Sequence, residues 1–184
     1  MGFVTVAEFK ALPLGLQDRL LDKFGDAAIQ SYIDTASTQI ENYCKRIIAQ
    51  AEVTDPMFDG RNNVETVLRQ YPVAEITKVA WEDDSGQTGE HDHSNFFLYS
   101  SGRLRWKANV PGGPFIFGRH YTITYKAGYT TIPGPIKHAC GLWVTELMQP
   151  TFATPSGKDN SDLVALSSEQ IGELLDGYRR KGVA

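Results

Sequence analysis

The sequence predicts an α+β protein, specifically a helical bundle with an inserted antiparallel β-sheet. Two observations predict it. A helical apolar period runs through residues 26–47, yields to short β-branched and aromatic runs, and returns after Gly128. The chain also has 184 residues, 41% of them apolar and 22% charged, enough for one core without a disulfide or metal staple. We therefore expect a single domain, with residues 1–52 and 132–184 as the helical part and residues 53–131 as the β insertion.

Thr5 and Glu8 have capping-box spacing, in which hydroxyl and carboxylate each take up a free backbone N–H at a helix start. A short helix from Val6 to Ala11 follows, ended by Leu12-Pro13 and a turn at Gly15. Asp26 reads as the N-cap of a long helix. Its apolar positions Ile29, Ile33, Ala36, Ile40, Tyr43/Cys44 and Ile47 step by three and four. Next come the strand candidates Val64–Gln70, Glu75–Glu82, Phe96–Tyr99, Arg103–Lys107 and His120–Lys126. Their separators, Asp59-Gly60, Ser85-Gly86, Ser101-Gly102 and Pro111-Gly112-Gly113-Pro114, are turn chemistry. Tyr121, Ile123 and Tyr125 alternate with Thr122, Thr124 and Lys126, which gives that strand one packed and one wet face. Together these runs predict an antiparallel sheet.

Pro133 and Pro135 mark the start of a second helix, where proline loses no useful donor. Ile136, Ala139/Cys140, Trp143, Val144 and Leu147 form its stripe, and Pro150 stops it. Ile33, Ile40, Tyr43, Trp143 and Leu147 are expected to pack the two longer helices together. Residues 151–162 are rich in turn formers. Ser167 or Ser168 then caps a last helix with Ile171, Leu174, Leu175 and Tyr178 on its apolar side. Arg179, Arg180 and Lys181 suit the negative end of its dipole.

Composition excludes several classes. The charge of −4, from 18 Lys+Arg against 22 Asp+Glu, does not suit a protein that grips DNA without regard to sequence. It leaves room for one that surrounds DNA loosely. The longest apolar runs, such as Phe96–Tyr99, fall far short of the ~20 residues of a membrane helix, so no membrane contact is expected. MGFVTVAEF lacks a basic region followed by an apolar one, so no signal peptide is expected. Cys44 and Cys140 both fall in helices and read as reduced, buried thiols.

Chemistry-bearing residues are sparse. His91 and His93 stand at a spacing that can share one face of a strand, but a metal needs further ligands. With Glu82, Asp83, Asp84, Glu90 and Asp92 they make an acidic, polar loop, expected to project from the sheet and to be ordered by a neighbouring protein. Gly112-Gly113-Pro114 lacks the Lys-Ser/Thr of a phosphate loop, and His138 and Cys140 face apart on a helix. No catalytic, cofactor or metal site is expected. Two other readings stay open. One is a binding module whose Trp81, Trp106 and Tyr121 hold a carbohydrate or similar ligand; the other is a hydrolase using His91, His93 and the acidic loop.

The order of elements, with particular strings, resembles one family. Ile40-Glu41-Asn42-Tyr43-Cys44-Lys45-Arg46 closes the long helix, and Leu68-Arg69-Gln70-Tyr71-Pro72-Val73 leads into the strand Ile76–Trp81. Gly102-Arg103-Leu104-Arg105-Trp106 and Tyr121–Tyr129 then run into Pro133, Ile136-Lys137 and Ala139-Cys140. Over residues 26–148 the chain is similar to the head–tail connector (adaptor, or head-completion) proteins of tailed bacteriophages, in the longer form with a β insertion. The resemblance implies a non-enzymatic virion protein, assembled in the host cytoplasm as a ring of typically twelve copies beneath the portal. Its partners would be the portal protein, neighbouring copies and a downstream stopper or tail protein, with DNA passing through without tight binding. The apolar face and basic end of the last helix, following a turn-rich linker, are expected to form a portal or neighbour contact at Ile171, Leu174, Leu175, Tyr178, Arg179, Arg180 and Lys181, as connector C-termini do. A tail-side or neighbour contact is expected at Glu82, Asp83, Asp84, Glu90, His91, Asp92 and His93.

Overall fold

The computed structural model describes residues 2–12, 24–108, 115–148 and 161–180, with side chains from Ser168 onward in the last segment. The chain divides into two units, Met1–Arg46 with Thr131–Ala184, and Ile47–Thr130. The expected turns at Pro13, Gly15, Pro111–Pro114 and Pro150 lie outside the described residues, as does the segment 151–160.

In the first unit, α1 (Val6–Ala11) carries the capping box that the sequence predicts: Glu8 N donates to Thr5 Oγ1 at 3.1 Å and Thr5 N to Glu8 Oε2 at 2.8 Å. Helix α2 (Asp26–Cys44) is capped by Gly25, not by Asp26. The Asp26 carboxylate is instead held by Lys10 at 2.6 Å, where it faces the positive end of the helix dipole. Ile29, Ile33, Ala36, Ile40 and Cys44 are wholly buried. They pack against α3 (Gly134–Met148), whose buried apolar side chains are Ile136, Ala139, Cys140, Val144 and Met148. Tyr43, Trp143 and Leu147 are only half-buried, so the seam is turned by about one residue from the expected one. Both thiols are buried, and burial pushes Cys140 up to about 11.

Helix α4 (Ser161–Asp176) packs mainly on α3. It begins before Ser167 and Ser168, so neither starts it. Ser168 sits within the helix, and its hydroxyl donates to Glu146 on α3 at 3.2 Å.

The second unit corrects the expected fold class. The chain is α+β, but not a helical bundle with one inserted sheet: 36% is helical and 31% strand, in two antiparallel sheets. The first sheet has the order β1 (Ala51–Thr54), β8 (Arg119–Ala127), β4 (Val73–Asp83), β5 (Thr88–His91), and β2 (Phe58–Asp59) also pairs with β8. The second has the order β3 (Glu65–Val67), β7 (Arg103–Trp106), β6 (Phe96–Leu98). Between β5 and β6 lies a single 3-10 turn, His93–Asn95.

The physical reason for two sheets lies in their inner faces. Tyr121, Ile123, Tyr125 and Val79 of the first sheet are fully buried. Leu104, Trp106 and Phe96 of the second pack into the same core. A single sheet would have left that aromatic face uncovered. The edge-on ring contact of Phe96 with Trp106, centroids 4.8 Å apart, is of the kind that stabilises beyond burial alone. Gly60 is needed beside this core, because a Cβ there would sit 1.9 Å from the Ile116 carbonyl oxygen.

A buried polar network ties down the segment between β3 and β4. Tyr125 Oη donates to Asp55 Oδ1 at 2.9 Å, and Asp55 Oδ2 accepts from Arg69 N at 2.9 Å. Gln70 N donates to Tyr125 Oη at 3.0 Å, and Gln70 Oε1 accepts from Ile47 N at 3.0 Å. Burial, more than the Asp55 charge beside it, holds the Tyr125 hydroxyl far above the usual phenol range.

Two substitutions test these cores. Ile40→Ala should lower the stability of the helical unit by about 2–5 kcal/mol in urea unfolding, the usual cost of a large-to-small change. Tyr125→Phe should cost the β unit about 1–3 kcal/mol, because Asp55 Oδ1 loses its donor and Gln70 N its acceptor while Arg69 N stays on Oδ2. A loss under about 0.5 kcal/mol for either would show that the group carries no such load.

Candidate interaction surfaces

The segment expected to project as a loop is a β-hairpin paired within the chain. Val79, Ala80, Trp81 and Glu82 of β4 lie opposite His91, Glu90, Gly89 and Thr88 of β5. Asp83 closes it: its Oδ1 accepts from Ser85 N at 3.0 Å, Ser85 Oγ at 2.6 Å and Gln87 N at 2.9 Å. These bonds, led by the Ser85 hydroxyl, hold its carboxyl below the usual range. Gly89 is required beneath Trp81, since a Cβ there would fall 2.4 Å from the indole ring. Arg119 in turn stacks on that ring at 3.7 Å. The hairpin is therefore ordered by its own chain, without a neighbouring protein.

The two histidines read together in the sequence part company. His91 turns into the aromatic core, its ring 5.0 Å from Trp106 and stacked at 6.0 Å on Tyr121. Its Nε2 is buried without a hydrogen-bond partner, and desolvation holds the ring below the usual histidine range. His93 stays exposed on the 3-10 turn, where Asp92 accepts from Ser94 N at 2.8 Å. Among the described residues no group of three or more His, Cys, Asp or Glu is placed to hold a metal ion.

The histidine that binds carboxylates is one the sequence reading passed over. His120 Nδ1 lies 2.8 Å from Asp59 Oδ1, and Nε2 lies 3.0 Å from Asp84 Oδ1. One imidazole thus links β2, β8 and the hairpin tip. Its bonds to Asp59 and then Asp84 raise its pKa. Alternation along β8 already places His120 outward with Thr122. Only the strand register, which the sequence does not print, brings Asp59 and Asp84 to it.

Trp106 and Tyr121, proposed as a ligand platform, are 6% and 0% exposed, so neither face is open to a ligand. On the last helix Ile171 and Leu175 are also buried, within the helical unit. Leu174 and Tyr178 are half-buried and Arg179 is exposed. The guanidiniums of Arg46 and Arg179 lie over the rings of Tyr178 and Tyr43, at 5.7 and 5.5 Å. Arg180 N donates to Cys44 O at 2.9 Å, and Lys181 is outside the described residues. Part of the expected docking stripe is therefore engaged by the unit itself.

The model of the head completion protein family matches residues 4–180 of this chain. A comparison with curated proteins gives no match. Among solved structures, the chain is similar to one from the neck of an empty GTA particle computed with C6 symmetry. The identity is 21%, the TM-score 0.65, and the match covers 98% of this chain and 91% of that one. A chain from the virion of the native gene transfer agent (GTA) particle gives 21% identity, TM-score 0.62 and the same coverage. A third, from the neck of the native particle computed with C12 symmetry, gives 19%, 0.59, and 98% and 95%. At such identities the likeness shows a shared fold.

The His120 clamp gives a pH dependence of definite sign. A raised native pKa means its stabilisation is complete below the ordinary value of 6.5 and is lost as pH rises through the native value. His91, with its lowered native pKa, acts in reverse and weakens the fold as pH falls below 6.5. His120→Ala should therefore remove the fall in melting temperature on the alkaline side of 6.5 and leave the acid side unchanged. An unaltered alkaline slope in the variant would contradict the clamp.

Proposed function

The chain belongs to the head completion protein family, and on that premise we propose that it is a structural virion protein of the head–tail interface. In this reading, copies of the chain form a ring, twelve in number, beneath the portal. The ring extends the DNA channel toward a downstream stopper or tail protein. The observation that carries the reading is the family match, which spans residues 4–180. The shared fold of chains from GTA necks, solved with six- and twelvefold symmetry, supports it.

Physical chemistry favours the same role. A channel subunit must let DNA leave, so it should not accumulate phosphate contacts, each of which tightens binding. The net charge of −4 satisfies that requirement. A ring also needs two different surfaces on each subunit, one for each neighbour. The β unit supplies two such surfaces on its outer faces. No observation favours the ligand-binding alternative, because two of its three aromatic rings are buried.

We assign the portal contact to the outward part of α4 and its tail, where half-buried Leu174 and Tyr178 adjoin exposed Arg179. Sedimentation of the full chain with purified portal rings tests both claims. The wild type should travel with the portal, and portal binding by Leu174→Asp with Arg179→Glu should weaken about tenfold or more while far-UV circular dichroism stays unchanged. Undiminished binding by the variant would remove the helix from the contact. A wild type that never travels with the portal would contradict the placement itself.

A further inference from the structure

The outer faces of the two sheets differ in charge. In β7, alternation sends Leu104 and Trp106 into the core and leaves Arg103 and Arg105 exposed. Register sets Arg105 between Phe97 on β6 and Glu65 on β3, and Arg103 opposite Val67. Lys107 lies 5.2 Å over the Phe97 ring, and Arg103 5.3 Å over Tyr99. Three cations thus cluster here against two carboxylates, Glu65, which Arg103 holds at 2.7 Å, and Asp92, which feels the Lys107 charge. The face is also apolar: Val67 is 63% exposed and Phe97 52%. Val64, Val67, Arg103 and Arg105 line an open depression there.

On the first sheet the balance is reversed. Glu82 and Glu90 stand on its outer face, with Asp84 and Asp59 beside them on His120. Their counter-charges are His120 itself and Lys78, 3.9 Å from Glu90. Exposed Met57 borders the depression that Glu82 and Glu90 line.

We infer that the basic, aromatic outer face of the second sheet docks on the acidic outer face of the first sheet in the next copy of this chain. This rests on the ring reading and names its copy-to-copy contact. Complementary charge selects the occupant. Two copies joined through the same face would set Arg103 and Arg105 against their own kind, a repulsive contact. The two faces belong to sheets that share one core, so they point away from it in opposite senses. A contact between them is heterologous, so it repeats from copy to copy instead of stopping at a pair, and it closes into a ring when the rotation between copies closes. Arginine and aromatic side chains are also what protein interfaces concentrate.

Charge reversal with sedimentation velocity tests the pairing. Arg103→Glu with Arg105→Glu, or Glu82→Arg with Glu90→Arg, should each weaken self-association about tenfold or more at low salt. Mixing the two reversed proteins, or placing all four changes in one chain, should restore it. Circular dichroism checks that each variant folds. Reversals that leave association intact, or a loss that neither mixing nor the fourfold variant repairs, would overturn the pairing. So would a wild type that stays monomeric at every attainable concentration. If the Arg103/Arg105 variant loses duplex-DNA binding but not self-association, the face belongs to nucleic acid and the pairing fails. Sedimentation with the portal reads the neck placement separately from all of these.

Discussion

Strand β8 is the constraint on which the β unit depends. It pairs with β1, β2 and β4, and its alternation divides the chemistry of the unit into two. Inward, Tyr121, Ile123 and Tyr125 form the floor of the core. Both tyrosine hydroxyls are used as well, since Tyr121 Oη accepts from Ile116 N at 3.0 Å and Tyr125 anchors Asp55. Outward, His120 joins Asp59 to Asp84. A slip of one residue in register would bury the histidine and expose both tyrosines, so one choice of pairing fixes core, polar network and clamp together.

That rigidity is what a protein working through its surfaces requires. The hairpin carrying Glu82 and Glu90 is held by Asp83 at its tip, by Gly89 under Trp81, and by Asp84 on His120. The strand carrying Arg103 and Arg105 is fixed from below by Leu104 and Trp106. Side chains set on paired strands over a packed core lose little further freedom when a partner arrives, which leaves more of the contact energy for binding. In the helical unit, the same logic lets Ile171 and Leu175 hold α4 while its outer residues remain available.

How much of this the sequence discloses depends on the reach of each signal. The capping box of Thr5 and Glu8, the stripe Ile29–Cys44 and the alternation of Tyr121–Lys126 are local, and they appear where expected. Strands β1, β2 and β5 were missed because they are short and mostly exposed, and Gly89 breaks the pattern in β5. Arg103–Lys107 is legible as a strand from its composition. What it could not disclose is that these residues pair with β3 and β6, forming a second sheet and an outer basic face. Asp26 was misread for a different reason: a carboxylate at a helix start serves equally as a cap or as a dipole partner, and Lys10, sixteen residues away, decides between them. The His91/His93 pair misled because its residues alternate across the boundary of the core, one in and one out. The resemblance to head-completion proteins was legible because it rests on strings of sequence.

The central claim is that the chain is a layer of the neck between portal and tail. Electron microscopy of particles assembled with and without the chain measures this most directly. Particles that contain it should show a closed ring of density just beyond the portal, large enough for a 20.4 kDa subunit repeated around the axis. Particles lacking it should end at the portal. Identical necks in the two preparations would contradict the claim.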